Sequence, residues 1–360
     1  MFLRSLYVRG YRSIRTLRLP LNRVNVLVGP NGSGKSNLYR SLYLLAAAAE
    51  GRFARSLVEE GGMPSVLWAG EQRKDLPKRV ELEVQFDDWL YHFSCGLRKP
   101  SGSAFGLDPY IREEWLDLMD SSRKVRFFCR TNAAVWLRDQ EGRRIDYPWT
   151  LSESESVLSE IREPHRFPEL SQLRGALLNW RFYHQFRTDV ASPLRQPQMP
   201  VRTPILGNDG SDLASALQSI REMGDYGQLD EAIADAFPGG ELQIESSDSG
   251  LQVALKTPEF KRPFTAPELS DGTLKYLCLL AALLSPRPPQ LLALNEPDAN
   301  LHPQLYEPLA RLVAKAANFS QLWIATHSVA LAALLKQHAA ATSVVLKKKD
   351  GATIVEPSEE

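Results

Sequence analysis

The sequence predicts an α/β protein with a partly parallel sheet, and three observations carry that expectation. A glycine-rich loop, Gly29-Pro30-Asn31-Gly32-Ser33-Gly34-Lys35-Ser36, stands between a short apolar strand and a helix. Over the last hundred residues strand-like and helical segments alternate, as they do where helical crossovers join parallel strands. The composition is that of a globular chain, with 43% hydrophobic and 24% charged residues among 360. The 43 Lys+Arg balance the 43 Asp+Glu, which excludes a polybasic protein held on nucleic acid or membrane by bulk charge and leaves a local basic face open.

Taken in order, residues 2–8 and 14–21 alternate as strands, and 24–28 is a short buried strand. A helical pattern runs from Asn37 to Glu50. Residues 80–86, 91–97, 125–129 and 134–137 predict further strands, with a turn at Glu141-Gly142. Residues 152–163 and 168–179 look helical, punctuated by Pro164 and Pro168, and a strand is expected over 180–186. The four prolines of 190–209 make that stretch a loop. A helix over 211–237, capped by Ser211 or Asp212, stops at Pro238-Gly239-Gly240, and a hairpin spans 241–256. A helix from Asp271, a strand over 291–294, a helix over 303–317, a strand over 321–325, a helix near 329–337 and a hairpin turning at Asp350-Gly351 complete the chain.

Cys95, Cys129 and Cys278 are odd in number, far apart and without metal spacing, so buried thiols in a reducing cytosol are expected. Uncharged apolar stretches such as 276–284 fall short of the roughly 18 residues a membrane span needs. The first residues run directly into a strand pattern without a signal-peptide layout, so the cytoplasm is the expected compartment and no membrane partner is expected.

The chemistry concentrates in four places. The loop 29–36 fits G-x-x-x-x-G-K-[ST]: glycines let successive backbone N–H groups point into one anion site, and the following helix adds its positive end. Lys35 is expected on the β- and γ-phosphates and the Ser36 hydroxyl on Mg²⁺. Leu291-Leu292-Ala293-Leu294-Asn295-Glu296-Pro297 ends an apolar strand in two polar residues at a carboxyl edge, where α/β sheets bind ligands. Glu296 is therefore a candidate for orienting the attacking water, against the alternative of a solvated strand end. Ser270, in Leu269-Ser270-Asp271-Gly272-Thr273, reads as a helix N-cap. His327 ends the apolar strand of Ile324-Ala325-Thr326-His327-Ser328, where a lone histidine is more often structural than catalytic.

The order of these motifs resembles that of the ABC-type ATPases and, within them, the RecF/SMC-like branch. The loop lies near the start, after an opening containing Gly10-Tyr11-Arg12-Ser13, and 235 residues separate Lys35 from Ser270. The segment Asn295-Glu296-Pro297-Asp298-Ala299-Asn300-Leu301-His302-Pro303 resembles that family's Walker B and D-loop. The similarity extends over about 1–95 and 265–345, is loose between them, and is greatest to the compact stand-alone ATPases of the group.

The resemblance implies a P-loop NTPase of the ABC/RecF–SMC type. Its mixed-sheet head would be split between 1–150 and 266–360, with an inserted, mainly helical, lid-like region over 151–265. It implies that Gly29, Pro30, Asn31, Gly32, Ser33, Gly34, Lys35, Ser36 and Asn37 bind ATP and Mg²⁺, with Arg12 near the phosphates. Glu296 becomes the catalytic carboxylate and His327 the sensor of the γ-phosphate. Ser270 and Gly272 would act in trans, on nucleotide held by a second copy, so ATP would gate a head-to-tail homodimer. The chain departs from the pattern at Asn295, where an Asp usually stands near the metal, and at Thr273, where Gln is common. Gln185 is preferred to Gln85 as the metal-side glutamine.

The middle segment lacks a sustained heptad, which excludes a long coiled-coil arm. Trp180, Phe182, Tyr183 and Phe186 sit at strand spacing and read as core, with base stacking as the alternative. Residues 1–49 hold Arg4, Arg9, Arg12, Arg15, Arg18, Arg23, Lys35 and Arg40 and no acid, so this segment is either part of a DNA-facing surface or a set of solvated strand faces. Three functions are compatible: an ATPase acting on DNA in repair or defence, a slowly hydrolysing switch that regulates a partner protein, and a transport ATPase, disfavoured by the insertion.

Overall fold

The computed structural model describes residues 1–71, 78–98, 104–119 and 124–356. Its strands are β1 (Ser5–Tyr11), β2 (Ile14–Pro20), β3 (Val24–Val28), β4 (Arg79–Gln85), β5 (Trp89–Leu97), β6 (Pro109–Met119), β7 (Lys124–Thr131), β8 (Ala134–Arg138), β9 (Arg144–Asp146), β10 (Arg181–Tyr183), β11 (Glu241–Ser247), β12 (Gly250–Lys256), β13 (Phe264–Thr265), β14 (Leu291–Asn295), β15 (Gln321–Thr326), β16 (Thr342–Lys349) and β17 (Ala352–Val355). The helices are α1 (Lys35–Glu50), α2 (Phe53–Glu59), α3 (Met63–Val66), α4 (Val157–Glu160), α5 (Pro168–Leu178), α6 (Leu213–Met223), α7 (Tyr226–Ala236), α8 (Asp271–Leu283), α9 (Tyr306–Ala316) and α10 (Val329–Ala339).

The chain forms two compact units. The first comprises 1–22, 29–180 and 344–360, the second 23–28 and 181–343. In the first, an antiparallel sheet runs in the order β2-β1-β4-β5-β6-β7-β8-β9. Strand β6 is absent from the sequence expectation because Glu113, Glu114 and Asp117 break its apolar alternation. Two of these acids are fully buried and satisfied. Glu114 accepts from Tyr91 Oη (2.9 Å), Ser156 Oγ (2.6 Å) and the Val157 N–H (3.0 Å), while Asp117 pairs with Arg126 (2.7 Å) and Lys124 (2.9 Å). Burial raises the Glu114 carboxyl above its ordinary range against those hydrogen bonds.

The second unit is built on parallel strands in the order β10-β14-β15-β3. Strands β14 and β15 are buried almost throughout, as parallel strands covered on both faces must be. Their Leu292, Leu294, Leu322 and Ile324 join Val24 and Val26 of β3 and the apolar faces of α8 and α9 in one core.

Several expectations are corrected. The helix over 152–163 contracts to the single turn of α4, capped by Ser156. The helix over 211–237 is two helices: Gly224 ends α6, and Asp225 caps α7 by accepting from the Gln228 N–H at 3.0 Å. The strand over 180–186 shortens to β10. Trp180, Phe182, Tyr183 and Phe186 are 3–6% exposed, so they are core and offer no stacking face. Cys129 is half-buried, unlike Cys95 and Cys278, and all three thiols are free. The basic opening segment is partly neutralised: Arg4 pairs with Asp87 (2.7 Å), Arg9 with Glu81 (3.3 Å), Arg12 with Glu60 (2.8 Å), Arg18 with Glu83 (2.9 Å) and Arg40 with Glu60 (3.7 Å). Among the described residues no helix is long and apolar enough to cross a membrane.

Candidate nucleotide site

In the first unit the loop 29–36 has the shape an anion cradle requires. Gly32 and Gly34 have φ of 76° and 108°, a left-handed backbone that favours glycine. A Cβ on Gly34 would collide with the Thr353 side chain, so residue 34 is glycine on both counts. Gly34 precedes α1 and its carbonyl receives the Asn37 and Leu38 N–H groups at 3.1 Å, which directs the helix's free N-terminal donors at the loop. Lys35 is buried at 4% exposure, with Nζ donating to Gly29 O (2.6 Å) and Pro30 O (3.1 Å). Asn31 and Gly32 are exposed, and Ser36 and Asn37 half-buried.

Two distant segments hold this loop. Ser13, in the two-residue turn between β1 and β2, accepts from Asn37 Nδ2 (2.8 Å), and its hydroxyl meets Thr353 Oγ1 at 2.7 Å. Thr353 Oγ1 also donates to Ser33 O (2.9 Å). Arg12, beside Ser13, has φ 48° and directs its guanidinium to Glu60, which also accepts from Tyr11 Oη at 2.5 Å.

In the second unit the strand register gathers the remaining candidates at one edge. Asn295 pairs with Ala325, and Ala325 with Leu27; Thr326 pairs with Val28. The residues that follow these strand ends are Glu296, His327 and, in sequence, Gly29. Tyr183 of β10 pairs with Leu294, so exposed Gln185 lies just past the same carboxyl edge.

Glu296 is half-buried and has φ 47°, an uncommon conformation for a residue with a Cβ. Its N–H bonds Ala325 O (2.7 Å), and its carbonyl accepts from Lys275 Nζ (2.8 Å), which also reaches Ala299 O (2.7 Å). Burial lowers the Lys275 ammonium to about 8, against the pull of Asp298 and Glu296. Asp298, 3% exposed, accepts from Thr326 Oγ1 (2.5 Å) and has its other carboxylate oxygen 3.7 Å from Nε2 of half-exposed His327.

Ser270 caps α8 as expected, accepting from the Thr273 N–H at 3.1 Å. A Cβ on Gly272 would stand 2.8 Å from Asn300 O, so close approach within this chain alone requires glycine there. Arg195, buried in the proline-rich loop, clasps the same segment. Its Nη1 donates to Ala266 O (3.0 Å), Pro267 O (3.0 Å) and Leu269 O (2.8 Å), and its Nη2 to Asp271 Oδ1 (2.7 Å). Sequence reasoning missed Arg195, Lys275, Asp298 and Thr353. Asp298 and Lys275 lie within a few residues of recognised motifs; nothing local marks Arg195 or Thr353.

The donor set suits a nucleotide with Mg²⁺. Ser33 Oγ in the first unit and Asn295 Oδ1 in the second are buried without a hydrogen-bond partner, and such atoms ordinarily have one. An amide oxygen accepts a bond from a metal-bound water as a carboxylate does, without the charge.

Comparison with known proteins agrees. Residues 148–333 match the family described as "AAA domain, putative AbiEii toxin, Type IV TA system", and residues 1–162 match "AAA ATPase domain". The DNA replication and repair protein RecF of Geotalea daltonii is 30% identical over 137 residues, 32% of this chain and 37% of that protein. A solved SMC head bound to the C-winged helix domain of ScpA superposes with a TM-score of 0.58 at 16% identity, covering 99% of this chain and 98% of that one. The chain belongs to the AAA-domain family of RecF/SMC-like, ABC-type P-loop ATPases. A second RecF, from Picosynechococcus sp., is 26% identical over 132 residues, 36% of this RecF/SMC-like chain and 31% of that protein, so the chain spans about a third of these relatives' length. The Smc head of Pyrococcus furiosus, bound to the C-terminal domain of ScpA, has a TM-score of 0.54 at 15% identity over 99% of this chain and 96% of that one. At such identities the likeness speaks for the fold.

Proposed function

We propose that the chain binds and hydrolyses ATP, forms a head-to-tail dimer on ATP, and acts on DNA. The observation that carries the proposal is the register of β14, β15 and β3, whose carboxyl ends lead into Glu296, His327 and the loop at Gly29. In this reading the loop N–H groups and Lys35 hold the phosphates, and Ser36 and Asn295, with Gln185, face Mg²⁺. Bound Mg²⁺ supplies charge neutralisation on the phosphoryl group being transferred. Glu296 orients the attacking water and takes its proton, and its fixed backbone keeps the carboxylate on that water. His327, beside Asp298, contacts the γ-phosphate. Arg12, its guanidinium paired with Glu60, lies near the phosphates in the turn it shares with Ser13. Ser270 and Gly272 complete the partner's site. Residues 151–265 are the inserted, lid-like region of the head, and the site of action is the cytoplasm.

DNA as the target is supported by the RecF relatives, described as replication and repair proteins. The pairing of five of the opening cations with four carboxylates lowers the charge that residues 1–49 could offer it. A second reading, a slowly hydrolysing switch on a partner protein, is favoured by Asn295, which carries no charge toward the metal. Turnover of ATP with Mg²⁺, with and without duplex DNA, alongside molar mass by light scattering, tests both. DNA-stimulated turnover with an ATP-dependent dimer supports the first. A dimer with negligible turnover supports the second, and neither ATP binding nor a dimer overturns both.

A further inference from the structure

The hairpin β16–β17 packs on the phosphate loop. Leu346 O lies 2.5 Å from the position of a Cβ on Gly29, Thr353 Oγ1 bonds Ser33 O at 2.9 Å, and Lys348 Nζ lies 4.0 Å from the position of a Cβ on Gly32. Lys348 pairs directly with Thr353 across the hairpin, and Leu346 precedes it by two, so the three side chains share one face. The neighbouring Lys347 projects to the other face and pairs with Glu356. Lys348 makes no ion pair among the described residues. Gly32 is exposed and has no side chain, so the ammonium stands over bare loop backbone.

We infer that Lys348 is a second cationic ligand of the nucleotide's polyphosphate, supplied across the loop from Lys35 by the C-terminal hairpin. The inference rests on the ATP-binding reading above. A nucleoside triphosphate carries more charge than one lysine and one Mg²⁺ cancel, and Lys35 lies deep, against the loop carbonyls. A cation on a flexible four-carbon stem over the exposed middle of the loop adds charge-assisted bonds where the phosphates enter. The chemistry recognised is the triphosphate or diphosphate, so selectivity falls on phosphate number and not on the base.

The test is calorimetric titration of the full chain with a non-hydrolysable ATP analogue, with ADP and with AMP, in Mg²⁺. Lys348→Ala should bind the ATP analogue about tenfold more weakly, the loss expected for one charge-assisted contact, with a smaller loss for ADP and least for AMP. Lys348→Glu should bind more weakly still, Lys348→Arg should return to within a few-fold of wild type, and all three should unfold at the wild-type temperature. Equal affinity of Lys348→Ala and wild type overturns the inference while leaving the ATP reading intact. A loss that Arg does not rescue, or that is the same for AMP and ATP, overturns it in favour of a structural role. If the wild type binds none of the nucleotides while Lys35→Ala behaves identically, the ATP reading itself falls and takes this inference with it.

Discussion

Lys275 donates to the main-chain carbonyl of Glu296 at 2.8 Å, and so helix α8, capped by Ser270, fixes the backbone of the candidate catalytic carboxylate. The same ammonium holds Ala299 O at 2.7 Å, which bridges both ends of a tight turn. Glu296 lies in a left-handed conformation that costs about 1–3 kcal/mol and persists where its surroundings enforce it.

Lys275→Met should destabilise the chain by about 2 kcal/mol, because two carbonyls lose their donor, and lower turnover by releasing Glu296. The effect is pH-dependent. Burial lowers the folded-state value to about 8 from the ordinary 10.5, so below pH 8 the lysine is charged in both states and its desolvation cost is fully present. Between pH 8 and 10.5 the unfolded chain binds the proton that the folded chain has released, so wild-type stability rises relative to the variant. Denaturant unfolding of both proteins at pH 7.5, 9 and 10 checks this, and a difference independent of pH would contradict it.

Glu296→Gln keeps the shape of the side chain and removes the base. The ATP-bound dimer should then persist long enough to appear as doubled molar mass by light scattering, with turnover reduced at least a hundredfold, the scale of a lost general base. Adding Ser270→Arg should return that variant to a monomer that still binds ATP. A Glu296→Gln protein that stays monomeric with ATP and Mg²⁺ contradicts the head-to-tail dimer.

Asn295→Asp places a charge where an acceptor oxygen now lies buried without a partner. Charged hydrogen bonds exceed neutral ones by about 1 kcal/mol, so half-saturating Mg²⁺ in the ATPase assay should fall roughly five- to tenfold. Turnover at saturating Mg²⁺ is the separate quantity that distinguishes faster chemistry from slower product release. An unchanged Mg²⁺ requirement removes Asn295 from the metal's surroundings.

Arg195→Ala should cost about 2–4 kcal/mol, since it strips the donors from three carbonyls of residues 266–269 and a partner from Asp271. Arg195→Lys should recover little, because one ammonium cannot reproduce the guanidinium fork. Amide exchange across 266–273 should accelerate in both variants, and exchange unchanged there would show that the clasp is redundant.

What the sequence made legible was whatever is encoded locally. The loop 29–36, the Ser270 cap, the strand ending in Asn295-Glu296 and the strand ending in Thr326-His327 each carry their own pattern of residue types, and their order carries the family. Strand β6 was hidden because Glu114 and Asp117 are buried charges, satisfied by Tyr91, Ser156, Arg126 and Lys124 from elsewhere in the chain, and periodicity cannot anticipate such partners. The split between α6 and α7 was legible in Gly224-Asp225, a stop followed by a cap, and was masked by the apolar pattern on either side. Arg195, Thr353 and Lys348 owe their roles to contacts made across long stretches of chain, and no local pattern distinguishes them from surface residues.

Ser13 and Thr353, whose hydroxyls meet beside the phosphate loop, are 340 residues apart. At a synthesis rate of 5–20 residues per second, the loop therefore waits roughly 15–65 s after its own translation before its clasp emerges from the ribosome. Strand β3 waits almost as long for β15, its parallel neighbour. A nascent chain is thus deprived of an ordered phosphate cradle until residue 353 has been made, and a ribosome that stalls before it releases a product whose loop has no threonine to close it.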